Sequence, residues 1–235
     1  MTVSGTVAFS LTVSEIVTEA RGLLGIQAAE EPLQAVELAQ GIRALNMMLN
    51  TWQADGVKTW TLTEGTFTLV QGTASYLFGS GGTFTTVPLE LTDVRLTRDS
   101  IDLPIQALSR QEYFALPNKT TQSRPVSYYY DRQRDTGRMY VWPTADSGLG
   151  TIGFTYRRHI NDAGDGTNTL DLPDEWAEAV CYGLAKRLLP YYPKVDKTGL
   201  AAVLSTADAT YAIVKAFDVA EGENSITITP DWDYR

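Results

Sequence analysis

Apolar residues between positions 38 and 52 recur at helical spacing. Five of them lie at alternating steps of four and three: Leu38, Ile42, Leu45, Leu49 and Trp52. This spacing places them on one face of a helix, and polar residues fill the opposite face. We expect the helix to open at Glu31-Pro32, because proline is tolerated in a first turn. Asp55-Gly56 ends it, since glycine adopts the left-handed C-cap conformation without steric cost.

A shorter helix is predicted before this one. Either Thr12 or Ser14 can cap it, and Thr12 is followed three places later by Glu15, as in a capping box. Gly25 ends the apolar pattern.

Two further helices are predicted near the end of the chain. The first begins at Pro173-Asp174-Glu175, where two carboxylates favour the positive end of the helix dipole. Its apolar face consists of Trp176, Val180, Leu184 and Leu188. The second runs from about 196 to 220 and ends at Gly222. Its apolar face consists of Leu200, Val203, Leu204, Ala207, Tyr211, Val214 and Phe217.

Between positions 61 and 158 the apolar period changes to two. Seven short segments are rich in aromatic and β-branched residues and are separated by glycine, proline or Asp/Ser clusters: TFTLV, ASYLF, LELTDVRL, PIQALS, VSYYYD, GRMYVWP and GTIGFTYRR. Short turns between strands favour an antiparallel sheet or a small sandwich. A helical turn interrupts them at 110–114.

These elements predict an α+β protein. We expect a discontinuous helical bundle, formed by residues 1–58 and 170–222, with an antiparallel β-rich domain inserted at 59–169. Residues 223–235 would form an extended C-terminal tail.

Net charge and composition narrow the classes of function. The formal charge is −9, from 28 acidic and 19 basic residues, which argues against a protein that grips nucleic acid. An acidic surface repels DNA, so it is compatible with DNA that slides past without binding. We find neither a membrane span nor a signal peptide, so we expect a protein made in a cytoplasm with no membrane partner. A single cysteine, Cys181, allows no internal disulfide.

Candidate chemistry is sparse. His159 is the sole histidine, so a catalytic triad or histidine metal site has too few components. The Asp- and Asn-rich segment 161–171 lacks the spacing of a calcium loop. Asp171, Asp174 and Glu175 could supply a glycosidase acid and base, but their position at a helix start favours capping. We therefore predict no catalytic, cofactor-binding or metal-binding residues.

The order of three segments resembles the head-to-tail adaptor proteins of tailed bacteriophages, also called tail accessory or packaged-DNA-stabilisation proteins. These segments are ALNMMLNTWQADGVKTW, the strand that ends at Trp142-Pro143, and LPDEWAEAVCYGLAKRLLPYYP. The resemblance covers most of the chain.

This resemblance implies a structural role without enzymatic activity. Family members form a dodecameric ring between the portal and the tail, give DNA a channel and help retain the packaged genome. The implied partners are the portal protein, other copies of this chain, tail or nozzle proteins, and double-stranded DNA that passes without specific binding. The implied location is the head–tail junction of a virion assembled in the host cytoplasm.

The tail is the predicted portal-binding segment. Its alternating isoleucines could add a strand to another chain, and its aromatic residues could anchor an interface. The predicted contacts are Ile226, Ile228, Trp232, Tyr234 and Arg235. We expect this segment to be disordered until it binds the portal.

Two other classes of function stay open on sequence alone. One is a virion-associated peptidoglycan glycosidase that uses Asp171, Asp174 or Glu175. The other is a carbohydrate-binding module that stacks sugars on exposed tyrosines and tryptophans of the β region. Loss of cell-wall turbidity would identify the first, and a glycan pull-down the second.

Overall fold

The structure, a computed structural model, describes residues 9–28, 31–56, 59–193, 195 and 199–222. The chain divides into two compact units. One comprises Met1–Trp60 with Ile160–Arg235, and the other is Thr61–His159. Helices dominate the first unit and largely antiparallel sheets the second, so the predicted α+β class is confirmed.

The α-helices of the described residues are α1 (Val13–Leu23), α2 (Ala35–Ala54), α3 (Arg110–Ala115), α4 (Ala177–Leu188) and α5 (Leu200–Gly222). Short 3-10 helices occupy Thr59–Thr61, Asp174–Trp176 and Leu189–Tyr191. The strands are β1 (Leu62–Thr68), β2 (Ser75–Phe78), β3 (Glu90–Arg98), β4 (Ile101–Pro104), β5 (Gln106–Ala107), β6 (Ser127–Arg132), β7 (Gly137–Trp142) and β8 (Thr151–Arg157).

Helix α1 begins with the predicted capping box. The Thr12 hydroxyl accepts a hydrogen bond from the Glu15 backbone N–H, and the Glu15 carboxylate accepts one from the Thr12 backbone N–H at 2.8 Å. Thr12 is therefore the N-cap residue, and Ser14 lies inside the helix. Gly25 follows with a φ of 68°, the left-handed conformation that glycine favours.

Helix α2 begins later than predicted, and its buried face is rotated from the predicted one. It opens at Ala35, where the Glu37 carboxylate accepts a hydrogen bond from the Gln34 backbone N–H, and Glu31-Pro32 lies outside it. Leu45, Leu49 and Trp52 are buried, as are Gly41, Ala44 and Met48, whereas Leu38 and Ile42 are only partly buried. The buried stripe is thus rotated toward small residues, because α1 packs closely over Gly41.

Helix α4 starts about one turn later than the sequence pattern predicts. Residues Asp174–Trp176 form a 3-10 turn, and the α-helix follows from Ala177. Trp176, Val180, Leu184 and Leu188 all lie in the buried core of the helical unit. They pack there with residues of α1 and α2, so α4 is the central helix of this unit.

Residues 160–169 belong to the helical unit, although the sequence placed them in the β region. The Asn46 side chain of α2 explains their position. Its Oδ1 accepts a hydrogen bond from the Ala163 backbone N–H at 2.8 Å, and its Nδ2 donates one to the Ala163 carbonyl at 3.3 Å. A bridge between Thr12 and Thr169 holds the far end of the segment.

The β unit contains two four-stranded sheets, ordered β1-β8-β3-β4 and β2-β7-β6-β5. Side chains from both sheets share one buried cluster, including Phe78, Met139, Ile152 and Phe154, as expected for a small sandwich. Not every pairing is antiparallel. The PIQALS segment is split between β4 and β5, and β5 pairs with β6 in parallel.

Candidate assembly surface

Helix α5 presents an apolar face that the described residues leave uncovered. Nine of its positions between 200 and 218 are exposed: Ala201, Ala202, Ser205, Asp208, Ala209, Ala212, Ile213, Ala216 and Phe217. Ile213 is 68% exposed and Phe217 58% exposed. Phe217, which the sequence placed on the buried face, is thus on the surface. Asp218 is buried instead.

A groove of about 550 Å³ runs between α4 and α5. Its walls are mainly apolar and include Trp60, Trp176, Ile213 and Phe217. We call this surface, together with the exposed face of α5, the α4–α5 groove. Contacts within the unit fix the two tryptophan rings. The ring centroids of Trp60 and Trp176 lie 5.1 Å apart, and the Trp60 indole N–H donates a hydrogen bond to the Asp171 carbonyl.

Carboxylates border the α4–α5 groove. Glu175 and Glu178 both line it, and neither forms a hydrogen bond or ion pair with any described residue. Two unpaired anions beside an apolar floor favour a partner that brings apolar side chains and positive charge.

A second groove of about 540 Å³ lies on the other side of Glu178, between α1 and α4. Phe9, Leu11 and Leu23 supply apolar lining, and Glu19 adds another carboxylate. Cys181 also lines this groove. Burial, with smaller contributions from Glu19 and Glu178, raises the pKa of the Cys181 thiol to about 12, so it stays protonated and unreactive near neutral pH.

Helix α5 is anchored to α2 through Asp55. The Asp55 carboxylate accepts hydrogen bonds from the Lys215 ammonium at 2.6 Å and the Tyr211 hydroxyl at 2.7 Å. The bond from Lys215, followed by that from Tyr211, lowers the pKa of the Asp55 carboxyl. Burial, followed by the hydrogen bond to Asp55, raises the pKa of Tyr211. The Tyr211 ring also stacks on Trp52, with centroids 4.8 Å apart.

By length and composition, Leu200–Asp218 of α5 could cross a membrane, and no other helix of the described residues could. Counting uninterrupted apolar residues did not identify it, because polar and charged residues such as Ser205, Asp208 and Lys215 interrupt the sequence. Two ion pairs hold it against the helical unit: Lys186 with Asp208 at 2.5 Å, and Lys215 with Asp55.

The predicted portal-binding residues Ile226, Ile228, Trp232, Tyr234 and Arg235 lie outside the described residues. The predicted bundle-core residues come together, with Leu38 and Ile42 at the edge of the cluster and the other seven inside it. Sequence reasoning missed the exposed face of α5, although the alternation of alanine with Ile213 and Phe217 is visible in the sequence.

Two carboxylates of the glycosidase hypothesis hold the backbone. Asp171 accepts a hydrogen bond from the Asn161 N–H, and Asp174 accepts one from the Phe9 N–H, both at 3.1 Å. The sequence predicted that Asp174 caps its own helix. In the structure its carboxylate instead tethers the backbone at Phe9. Within the part of the chain that the structure describes, no group of three or more His, Cys, Asp or Glu could hold a metal ion.

Two of the three consecutive tyrosines in β6, Tyr128 and Tyr129, are buried. Tyr128 is in the buried core of the sandwich, and Tyr129 is buried on the opposite face of β6. There the rings of Tyr113 and Tyr140 lie against Tyr129, each with centroids 5.7 Å away. The sandwich core thus covers Tyr128, and Tyr113 of α3 lies against Tyr129.

The described residues thus combine carboxylates that tether backbone segments with an apolar helix face bordered by anions. The family model for SU10 adaptor protein matches residues 11–231. The chain therefore belongs to the SU10 adaptor protein family, and the resemblance to head-to-tail adaptors is confirmed. It is a structural protein of the phage head–tail region.

Comparison with curated proteins finds no match. Among solved structures, one similar chain comes from the neck of an empty GTA particle computed with C6 symmetry. The two chains are 15% identical, the alignment covers 81% of this chain and 84% of that one, and the TM-score is 0.28.

Proposed function

We propose that this chain is a head-to-tail adaptor subunit that forms a dodecameric ring between the portal and the tail. The observation that carries the proposal is the family match, which extends from residue 11 to residue 231. The exposed apolar face of α5 and the unpaired carboxylates beside it support a subunit built to be covered by partners. In this role the ring gives DNA a channel and helps retain the packaged genome.

The portal is proposed to serve as the template for the ring. A net charge of −9 per subunit opposes the packing of many free copies, so we expect the isolated protein to be a monomer or small oligomer. The proposed contact with the portal is the segment 223–235, through Ile226, Ile228, Trp232, Tyr234 and Arg235.

Negative-stain electron microscopy of the protein mixed with its portal tests this proposal. We expect ring density stacked on the portal, absent from samples of portal alone or adaptor alone. Portal particles that stay bare at a saturating concentration of this protein would overturn the proposed function. A stable dodecamer at low micromolar concentration without portal would overturn the template requirement only.

The proposed channel must pass DNA without holding it, so we expect its wall to be acidic or neutral. Arg157 is already engaged by Glu90 at 3.3 Å, which leaves less positive charge for DNA. We expect Arg157 and Arg158 to face a subunit interface and not the channel. Binding of duplex DNA by the free protein should be weak. Tight binding that falls steeply with rising salt would contradict this part of the proposal.

The two rival functions gain no support from the geometry. Asp171 and Asp174, the candidate glycosidase carboxylates, accept hydrogen bonds from backbone N–H groups. Tyr128 and Tyr129, two tyrosines of the β region, are buried.

A further inference from the structure

The outer face of α2 carries a charge opposite to that of the carboxylates beside the α4–α5 groove. Between positions 36 and 50, every exposed residue of α2 falls on one helical stripe: Val36, Ala39, Arg43, Met47 and Asn50. We call this stripe the α2 outer face. It contains no carboxylate. Its one cation, Arg43, forms no ion pair or hydrogen bond with the described residues.

We propose that adjacent subunits of the ring contact each other through these two surfaces, the α2 outer face of one copy packing on the α4–α5 groove of the next. The inference rests on the proposed function, which supplies the ring. Arg43 then lies opposite the unpaired Glu175 and Glu178, and Met47 and Val36 cover the exposed Ile213 and Phe217. Arg43, Glu175 and Glu178 lack an ion-pair partner within the described part of one subunit, and the contact places them opposite each other across the interface.

The dimensions of the two helices agree with this contact. Helix α2 has 20 residues and α5 has 23, so at about 1.5 Å per residue they are of similar length. Alanines along the exposed face of α5 let another helix approach closely. Because the two surfaces are different parts of one chain, the contact is heterologous, and repetition of such a contact builds a ring when the rotation closes.

Other occupants of the groove fit less well. Residues 223–235 carry three carboxylates, Glu223, Asp231 and Asp233, against one cation, Arg235, so the rim at Glu175 and Glu178 repels them. The same carboxylates oppose an anionic lipid surface. The α2 outer face brings apolar contact without negative charge.

Cysteine cross-linking on the portal distinguishes these arrangements. Met47→Cys and Ile213→Cys are both at exposed positions, and the native Cys181 is buried. Each single variant and the double variant is assembled on portal and treated with a short flexible bis-maleimide. We expect the double variant to give a ladder from dimer to closed ring, and each single variant to stay monomeric on a denaturing gel.

A charge exchange provides the second test. Arg43→Glu should weaken assembly on portal by about tenfold or more, and Glu175→Arg with Glu178→Arg should do the same. Combining the three changes should restore assembly to near the unmodified level. The thermal midpoint of each free subunit should match that of the unmodified protein, which shows that folding is intact.

Each outcome decides between the models. Rings on portal without a ladder, a dimer from either single-cysteine variant, or a triple charge variant that is no better than the single changes would overturn the proposed contact. So would flotation with anionic vesicles that Ile213→Asp abolishes while ring assembly persists. Failure of the unmodified protein to assemble on portal would instead overturn the proposed function.

Discussion

Adjacent methionines in α2 show how a single side chain is assigned to the interior or the surface. Met48 is 1% exposed and lies in the core of the helical unit, whereas Met47 is 50% exposed on the α2 outer face. The two residues have the same chemistry and nearly the same place in the helix. Their difference comes only from which face α1 and α4 cover.

Met48→Ala should therefore lower the free energy of unfolding by about 2–5 kcal/mol, because it removes buried contacts and leaves a cavity. Met47→Ala is the matched control and should change the free energy of unfolding by less than about 0.5 kcal/mol. Urea denaturation followed by tryptophan fluorescence measures both. Equal losses for the two variants would contradict the observed burial.

Asp55 connects α2 to α5 through its charge. In the folded protein its pKa is lowered by Lys215 and then by Tyr211. A carboxyl with a lowered pKa stabilises the fold above its ordinary pKa of about 3.9, and this stabilisation is lost as the pH falls through the folded-state value. Asp55 therefore stabilises the fold at neutral and mildly acidic pH, and this stabilisation is lost at a pH low enough to protonate the carboxylate.

Asp55→Asn should destabilise the protein at pH 6, and the difference from the unmodified protein should shrink as the pH falls below about 4. Free energies of unfolding measured from pH 6 to pH 3 test this. Asp162→Asn is the control, since Asp162 is exposed and forms no hydrogen bond or ion pair with the described residues. A pH-independent gap for Asp55→Asn would show that the carboxylate charge does not hold α5.

At the scale of elements, large apolar residues predicted the buried face of α4 but only part of the buried face of α2. The stripe from Leu38 to Trp52 predicted this helix, yet the buried face also includes Gly41, Ala44 and Met48. Counting large side chains overlooks small residues, and it is their lack of bulk that lets α1 approach. The short parallel pairing of β5 was also unpredictable, because a two-residue strand has no period to detect.

The approach of α1 makes Gly41→Ala an informative substitution. Helix propensity alone favours alanine by about 1 kcal/mol. A Cβ at this position would lie 2.6 Å from both γ-carbons of Val17, which is fully buried and stiff at χ1. Overpacking of this kind costs about 1–3 kcal/mol, so we expect net destabilisation.

A double-mutant cycle with Val17→Ala isolates that contact. The smaller side chain at position 17 makes room for the new Cβ, so the double variant should be more stable than the sum of the two single effects implies. Chemical denaturation of the three variants gives the coupling free energy. Simple additivity, or a more stable Gly41→Ala single variant, would contradict the close packing of α1 on α2.

For the whole molecule, α5 joins the core that the described residues of the helical unit form. Leu200, Val203, Tyr211 and Val214 of α5 pack on the buried cluster formed by the other helices, and Asp55 anchors the same helix. We therefore expect stability to depend on the helices and the proposed portal contact to depend on residues 223–235. The sequence predicted that the last helix ends at Gly222, and α5 does end there.

Deletion of residues 226–235 should leave the thermal midpoint nearly unchanged and abolish binding to portal. The reason is that the apolar and aromatic anchors of the proposed contact, from Ile226 to Tyr234, all lie in the deleted segment. Calorimetry of the truncated protein and sedimentation with portal measure the two effects. A truncated protein that binds portal with unaltered affinity, or that unfolds at a clearly lower temperature, would show that the segment belongs to the folded unit.

Paired substitutions within the full-length chain separate side-chain recognition from chain length. Ile226→Ala with Ile228→Ala should weaken portal binding strongly, because both side chains fall on one face of an extended strand. Thr227→Ala with Thr229→Ala, on the alternate face, is the matched control and should bind portal nearly as well as the unmodified protein. Equal losses for the two pairs would mean that the portal reads the backbone of this segment without distinguishing its faces.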